Sequence, residues 1–419
     1  MRKISSPFKK LVQNIHINDR FIINVLLIIF ICIMIYLTIN NVSSYKVIKE
    51  SFSSLLPIPT ISYNYDYMDP RVLGIETFTN PTNTNTDKKD EKPKLERDAN
   101  GIPAVSFPFR NMFDQHGNKL NIILITAPFR GPDHDATYQE LKNQTPKLNF
   151  MGISSYCEFP GKLSNPFDSR YHEEKNHIYE TMVTSWLNCF RNPAKYINPK
   201  FNLPMIDLSE SDLRDANSNK LDSSIKKEYD FIYICLKDND KCTPGWQSYN
   251  RNWELAKKCL NIMCGKYKLK GAIVGRENCE FSDLCSGIVK VHPFLDYHSF
   301  QKELQKAKFL FVPNITDASP RVITESMCYD LRLLVNYNIL GGWKYVTPET
   351  GELFNDEGDF EKSLDKLITN MDKYTPRQHF LNNYGKEKSG KKLAEFIKKN
   401  YNNVVFPSAD KLDIVTIAI

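Results

Sequence analysis

Two carboxylates, Asp317 and Glu325, stand eight positions apart in the segment FLFVPNITDASPRVITESMCYDLRLLVNYNILGGWKYVTPETGELF, residues 309–354. An apolar run comes first, a polar loop carries Asp317, and Pro320 opens a helical pattern that contains Glu325. Proline is tolerated in a helix's first turn, where its missing N–H would have no partner. Free N–H groups at such a helix start, helped by the helix dipole, face anions such as a diphosphate. A carboxylate accepts two hydroxyl hydrogen bonds at once, which suits a ribose or hexose diol.

The spacing alone recurs by chance in most chains, so its weight comes from its neighbours. Glu325-Ser326-Met327-Cys328 leads into an apolar strand, Gly341-Gly342 follows that strand, and Thr350-Gly351-Glu352-Leu353-Phe354 comes next. Together these features resemble the donor-binding half of GT-B fold glycosyltransferases, the family-4-type retaining enzymes. That family reads E-x7-E-A-M-A, then a glycine pair, then T-G-x-L-F. This chain departs from it in carrying Asp317 in place of the first glutamate. Upstream, Val291–Phe300 and Phe309–Pro313 also follow the family's turn, short helix and strand.

The resemblance implies that Glu325 holds the nucleotide ribose and Asp317 the hydroxyls of the transferred sugar. Ser319, Arg321, Gly341 and Gly342 would also bind the donor, a UDP- or GDP-sugar, with no metal and no cofactor. The family neutralises the diphosphate with a basic pair, since fixed cations stabilise the charge that builds on a departing nucleoside diphosphate. Lys237 and Arg251 are the matching candidates, although an insertion separates them and Lys241 is an alternative. The family often places a histidine near the reacting carbon. His134, just beyond the strand and loop Ile122–Gly131, is the candidate, with His172 and His177 as alternatives.

These residues need a frame of alternating strands and helices. Strands are predicted at Asn121–Thr126, Leu148–Ile153, Pro204–Leu208, Asp230–Cys235, Lys270–Val274, Ile288–His292, Phe309–Pro313 and Leu331–Asn336. Amphipathic stretches fall at Glu173–Phe190, Asn252–Cys264, Tyr297–Lys306, Pro320–Tyr329 and Asp359–Met371. Such alternation predicts parallel sheets of βαβ units. The polar interval Ser209–Lys227 separates an acceptor-side Rossmann-like domain, 105–227, from a nucleotide-sugar-binding domain, 228–372. The expected fold is α/β, two Rossmann-like domains facing a cleft. Residues 373–419 read as a helical tail, with Gln378–Tyr401 crossing back to brace the first block and Leu412–Ile419 without a role.

The chain has 419 residues and a net charge of +6. Arg2, Lys3, Lys9, Lys10 and Arg20 concentrate that charge in the first twenty residues, so a basic nucleic-acid face is not expected. Phe21–Ile39 follows without a formal charge. At a helical rise of ~1.5 Å per residue it spans roughly 28 Å, the thickness of a bilayer core. A cleaved signal peptide would have a shorter apolar run and a small-residue cleavage site. The expectation is a cytoplasmic tail, 1–20, a transmembrane anchor, 21–39, and a stem, 40–104. Positive charge before the anchor predicts a type II membrane protein whose body lies in the Golgi or ER lumen. Apart from Cys32 in the anchor, nine cysteines remain, five of them between Cys242 and Cys285, a spacing that permits local disulfides in an oxidising compartment. Asn41, Asn143 and Asn314 head glycosylation sequons.

The expected activity is therefore transfer of a sugar from a nucleoside diphosphate to a glycan, lipid or protein hydroxyl. Two alternatives are open. Asp238-Asn239-Asp240 after a strand fits the D-x-D of metal-dependent GT-A enzymes, where a divalent ion bridges carboxylates and diphosphate. The other is a membrane-anchored sugar-binding protein without catalysis, suggested by Asp317 and the short first block.

Overall fold

The computed structural model describes residues 95–168, 170, 177–401 and 408–417, all within one unit, Met68–Ile419. The expected tail 1–20 and anchor 21–39, most of the expected stem, Cys32, Asn41 and His172 lie outside the described residues. Among the described residues no helix is long and apolar enough to cross a membrane.

The first block supplies strands β1 (Phe109–Phe113), β2 (Lys119–Ile125), β3 (Asn149–Ile153), β4 (Trp186–Asn188) and β5 (Met205–Asp207), with helix α1 (Pro132–Lys142) after β2. The second supplies β6 (Tyr229–Ile234), α2 (Trp246–Asn250), α3 (Trp253–Asn261), β7 (Gly271–Val274), β8 (Val289–His292) and α4 (Tyr297–Gln305). It continues with β9 (Ala307–Val312), α5 (Arg321–Cys328), β10 (Arg332–Asn336), β11 (Gly351–Phe354) and α6 (Glu357–Thr369). The tail forms α7 (Pro376–Asn383), α8 (Lys386–Tyr401) and β12 (Thr416–Ile417).

Two six-stranded sheets result, ordered β12-β1-β2-β3-β4-β5 and β11-β10-β9-β6-β7-β8. The second is parallel throughout, so both its faces need helical cover and its strands are apolar on both sides. One face packs Trp253, Ala256 and Leu260 of α3 with Phe360 and Leu364 of α6; the other packs Leu304, Ile323, Met327 and Phe380. In the first sheet β2 to β5 run parallel, while β1 is antiparallel to both β2 and β12.

Three expectations need correction. Glu173–Phe190 is not a helix in its described part: it holds a short 3₁₀ turn at Tyr179–Thr181 and strand β4. Trp186 and Leu187 are both wholly buried, and a strand covered on both faces has no period-two signature to distinguish it from a helix. The interval Ser209–Lys227 is not simply a solvated linker, because Glu210 to Leu213 and Asn219 are buried. Finally, the described part of 373–419 is α-helical only at Pro376–Asn383 and Lys386–Tyr401 and ends in β12, although Lys386–Tyr401 does cross back onto the first block as expected. α7 packs Phe380 on the second sheet, whereas α8 and the following segment complete the first. Leu393, Ile397, Leu412, Val415 and Ile417 join the core of Leu120, Ile122 and Met151. Each such buried aliphatic contributes about 1.5–3 kcal/mol, so the returning segment is integral to the first block.

Candidate functional site

In an open α/β sheet, ligands bind beyond the strand ends where the strand order reverses. In the second sheet that point lies between β6 and β9. Two loops meet there, Leu236–Gly245 leading into α2, and Pro313–Pro320 leading into α5. The second loop is tied to the end of α2 by three side-chain contacts. The Thr316 hydroxyl donates to Asn250 Oδ1 at 2.6 Å, Asn252 Nδ2 donates to the Pro313 carbonyl at 3.1 Å, and the Arg251 guanidinium pairs with the Asp317 carboxylate. Asn252 takes a left-handed conformation, φ 52, which breaks α2 from α3 beside Arg251; asparagine tolerates that region better than most residues.

Asp317 also accepts a bond from Asn314 Nδ2 at 3.2 Å. Burial weighs against the charge on Arg251, but Asp317 more than offsets it, and the guanidinium pKa lies above its ordinary value. Arg251 is therefore a permanent cation beside the loop. Asn314 is buried and engaged, which removes it as a glycan acceptor in the folded chain, while Asn143 is exposed.

Gly341 and Gly342 lie against this loop. Gly341 N–H donates to the Asp317 carbonyl at 3.0 Å, and a Cβ on Gly341 would stand 1.7 Å from the Ala318 oxygen. Gly342 has φ +84, and a Cβ there would meet Pro320 Cγ at 2.6 Å. The pair thus sets how closely the backbone after β10 approaches the Asp317 loop. The Thr350–Phe354 motif is likewise structural in its contacts: Thr350 Oγ1 donates to the Tyr345 carbonyl at 2.6 Å, and Glu352 pairs with Lys366 at 2.8 Å.

Ser319, Arg321 and Glu325 follow on the same loop and helix. Ser319 shares a 3.0 Å hydroxyl contact with Ser211, from the segment joining the two blocks. Glu325 is 7% exposed and pairs with Arg214, from that same segment, at 2.7 Å. Burial opposes the Arg214 charge, but Glu325 raises its pKa above the usual value. Arg321, on the first turn of α5, makes no side-chain hydrogen bond or ion pair with a described residue. Burial pushes its pKa down against the pull of Glu210 and Glu325, and the nearby cations Arg110 and Arg214 add to that push. A bound anion would offset that cost of burying the charge.

The remaining candidates sit elsewhere. Lys237 pairs with Asp240 at 3.0 Å and lies 3.9 Å from Glu277, so its ammonium is not on Asp317. Asp238 accepts the N–H groups of Gln247 at 2.6 Å and Ser248 at 3.0 Å, and also the Ser248 hydroxyl, making it a cap for α2. Asp240 is 97% exposed at its side chain. The two carboxylates of the D-x-D string therefore have separate structural duties. His134 lies on the first turn of α1, where Nδ1 accepts the Arg130 N–H at 2.9 Å. Its proton is then on Nε2, and burial, followed by the Arg130 charge, holds its pKa below the usual value. His177 instead pairs with Asp135.

Several groups escaped the sequence reading. Arg214 lies in an interval that read as polar linker. Asp212 of that interval accepts Tyr345 Oη at 2.8 Å and Lys344 Nζ at 2.6 Å, binding it to the stretch after Gly342. Trp246 Nε1 donates to Asp168 Oδ2 at 3.1 Å across the two blocks, and Asp168 also receives Arg170 and Tyr156. Arg276 is wholly buried after β7; its sole sequence signal was Gly275-Arg276 following an apolar strand. Disulfides join Cys242 to Cys279 and Cys264 to Cys285, while Cys157, Cys189, Cys235, Cys259 and Cys328 are free and buried.

No family model and no curated protein matches the chain. Among solved structures it is similar to the pneumococcal O-GlcNAc transferase GtfA in complex with UDP and GlcNAc, at 8% identity and a TM-score of 0.45 over 64% of this chain. It spans 55% of GtfA's own length. It is also similar to the lipopolysaccharide outer core galactosyltransferase WaaB, at 12% identity and a TM-score of 0.42 over 63% of this chain and 71% of that one. A further likeness is to AviGT4, a glycosyltransferase involved in avilamycin A biosynthesis, at 11% identity and a TM-score of 0.43 over 65% and 79% of the two chains.

Proposed function

We propose that the chain is a glycosyltransferase of the GT-B type, moving a sugar from a UDP- or GDP-sugar to a hydroxyl of a glycan, lipid or protein. The observation that carries the reading is Arg321. Its side chain is unpaired among the described residues, on the first turn of α5 at the strand-order reversal, between the motif carboxylates Asp317 and Glu325. A diphosphate on Arg321 and the α5 N-terminus would leave Glu325 beside the ribose and Asp317 beside the sugar hydroxyls. Breaking the sugar–phosphate C–O bond sends its electron pair to the diphosphate, and Arg251 and Arg321 stabilise that charge. The acceptor oxygen forms the new glycosidic bond and gives up its proton to the departing diphosphate oxygen. His134, protonated at Nε2, acts in this scheme as a hydrogen-bond donor rather than a base.

The reading includes retention at the sugar carbon and no metal requirement, together with a type II orientation set by the anchor at 21–39. The cysteine pairing supports a lumenal Golgi or ER body for that orientation. A second reading, a sugar-binding protein without turnover, is favoured by one observation: both motif carboxylates already hold an arginine, Arg251 and Arg214. Incubation with a panel of UDP- and GDP-sugars separates the two. Release of free sugar that survives EDTA and is lost in Arg321→Ala supports the transferase. Donor binding without release supports the binding protein, and EDTA-sensitive release lost in Asp238→Asn would restore the metal-dependent alternative.

A further inference from the structure

We infer that Arg276 is a positioning residue for the diphosphate site, holding the start of α2 and, through α2, the Arg251 guanidinium against Asp317. Its catalytic consequence rests on the transferase reading; its structural consequence does not. Arg276 is wholly buried. Its Nε and Nη2 donate to Cys235 Sγ at 3.3 and 3.1 Å, Nη2 also donates to Ser248 Oγ at 2.6 Å, and its plane lies 4.6 Å from the Trp253 ring centre. Among the described residues the nearest carboxylate oxygen, of Asp238, is 3.6 Å away, and Nη1 has no partner. A buried cation with an orphan N–H and no directly bonded carboxylate is not the arrangement stability alone would favour. Its contacts instead surround one small element: Cys235 precedes the loop before α2, Ser248 is within α2, and Trp253 follows it.

α2 has five residues, too few to be stable as a helix by its own hydrogen bonds. It is held at both ends. At its start Asp238 caps it, and Arg276 binds the same Ser248 that Asp238 binds. At its end Asn250 and Arg251 engage Thr316 and Asp317. Fixing the first end therefore fixes where the Arg251 charge stands at the second. Lys237, adjacent to Asp238 in the chain, holds Asp240 and supplies no such support.

Hydrogen exchange on the full chain tests the structural claim, comparing wild type with Arg276→Met and Arg276→Lys. Faster exchange confined to 246–252 and 313–318 in Arg276→Met, partly reversed in Arg276→Lys, supports it. Unchanged exchange there, or equal acceleration throughout β6, β7 and β9, overturns it, as does failure of both variants to fold. Donor turnover gives the second arm. Arg276→Met should lower kcat about tenfold with little change in donor KM, and adding it to Arg251→Ala should lower kcat no further. Multiplying losses in the double variant would overturn the positioning role. If wild type turns over no donor, the transferase reading falls while the exchange result still decides the role of Arg276.

Discussion

Gly341→Ala is the sharpest test of how the Asp317 loop is built. The added methyl would stand 1.7 Å from the Ala318 carbonyl oxygen, whereas real Cβ atoms keep at least 3.0 Å, so the two chains must part by the 1.3 Å difference. Neither side is a flexible side-chain tip; both are backbone. Such overpacking costs about 1–3 kcal/mol, and losing the Gly341 bond to the Asp317 carbonyl about 1 more. A melting temperature lower by roughly 5–15 °C is expected. Displacement of a substrate-positioning group by about an ångström costs on the order of 100-fold in rate, so donor turnover should fall by about that much even well below the melting temperature. Gly117→Ala is the control. Unlike Gly341 it has positive φ, +81, but a Cβ there meets nothing within 4 Å, so it should cost about 1 kcal/mol through backbone strain alone and leave turnover intact. Turnover in Gly341→Ala equal to that of Gly117→Ala, with the same melting temperature, would refute the account of the loop.

Glu325→Gln should leave Arg214 buried without its counter-ion and destabilise the fold by about 3–5 kcal/mol. Replacing both residues by leucine and methionine should restore most of that in urea titrations while donor turnover stays lost. Acidification should expose the depressed pKa of His134. Below the ordinary histidine value near 6.5 the unfolded chain binds a proton that the folded chain refuses, so this stability is full above that pH and is lost as pH falls through the lower folded value. His134→Asn should therefore lose less stability than wild type between pH 7.5 and 5, whereas an unchanged slope would exclude His134 as the source. Reduction of the two disulfides should cost about 2–4 kcal/mol each, and a melting temperature indifferent to reductant would show that they contribute nothing.

The strands flanking the site were legible because each is a short apolar run ending in a turn; β6, β7, β9 and β10 fall within two residues of where the sequence put them. Arg251 could be named because the family resemblance calls for a basic pair after the first strand of its block, and its contact with Asp317 follows from the sheet order. Arg214 and Arg276 could not. The value of Arg214 depends on a partner far along the chain, and its own neighbours are polar. Arg276 sits after an ordinary strand, and a charged residue there suggests a surface loop until the sheet is closed around it. Strand β12 was invisible for a different reason: two paired residues carry no periodicity.

That last strand has a consequence in time. On a ribosome adding about 5–20 residues per second, the roughly 200 residues between β5 and β12 take on the order of 10–40 s to make. Through that interval β1 has its outer edge bare, and the core around Ile122 and Met151 lacks Leu393, Ile397 and Leu412. An open edge beside uncovered apolar surface invites pairing with other chains. The newborn first block must therefore be shielded from its neighbours until the second is finished, and a chain cut short before 386 would aggregate rather than release a folded half.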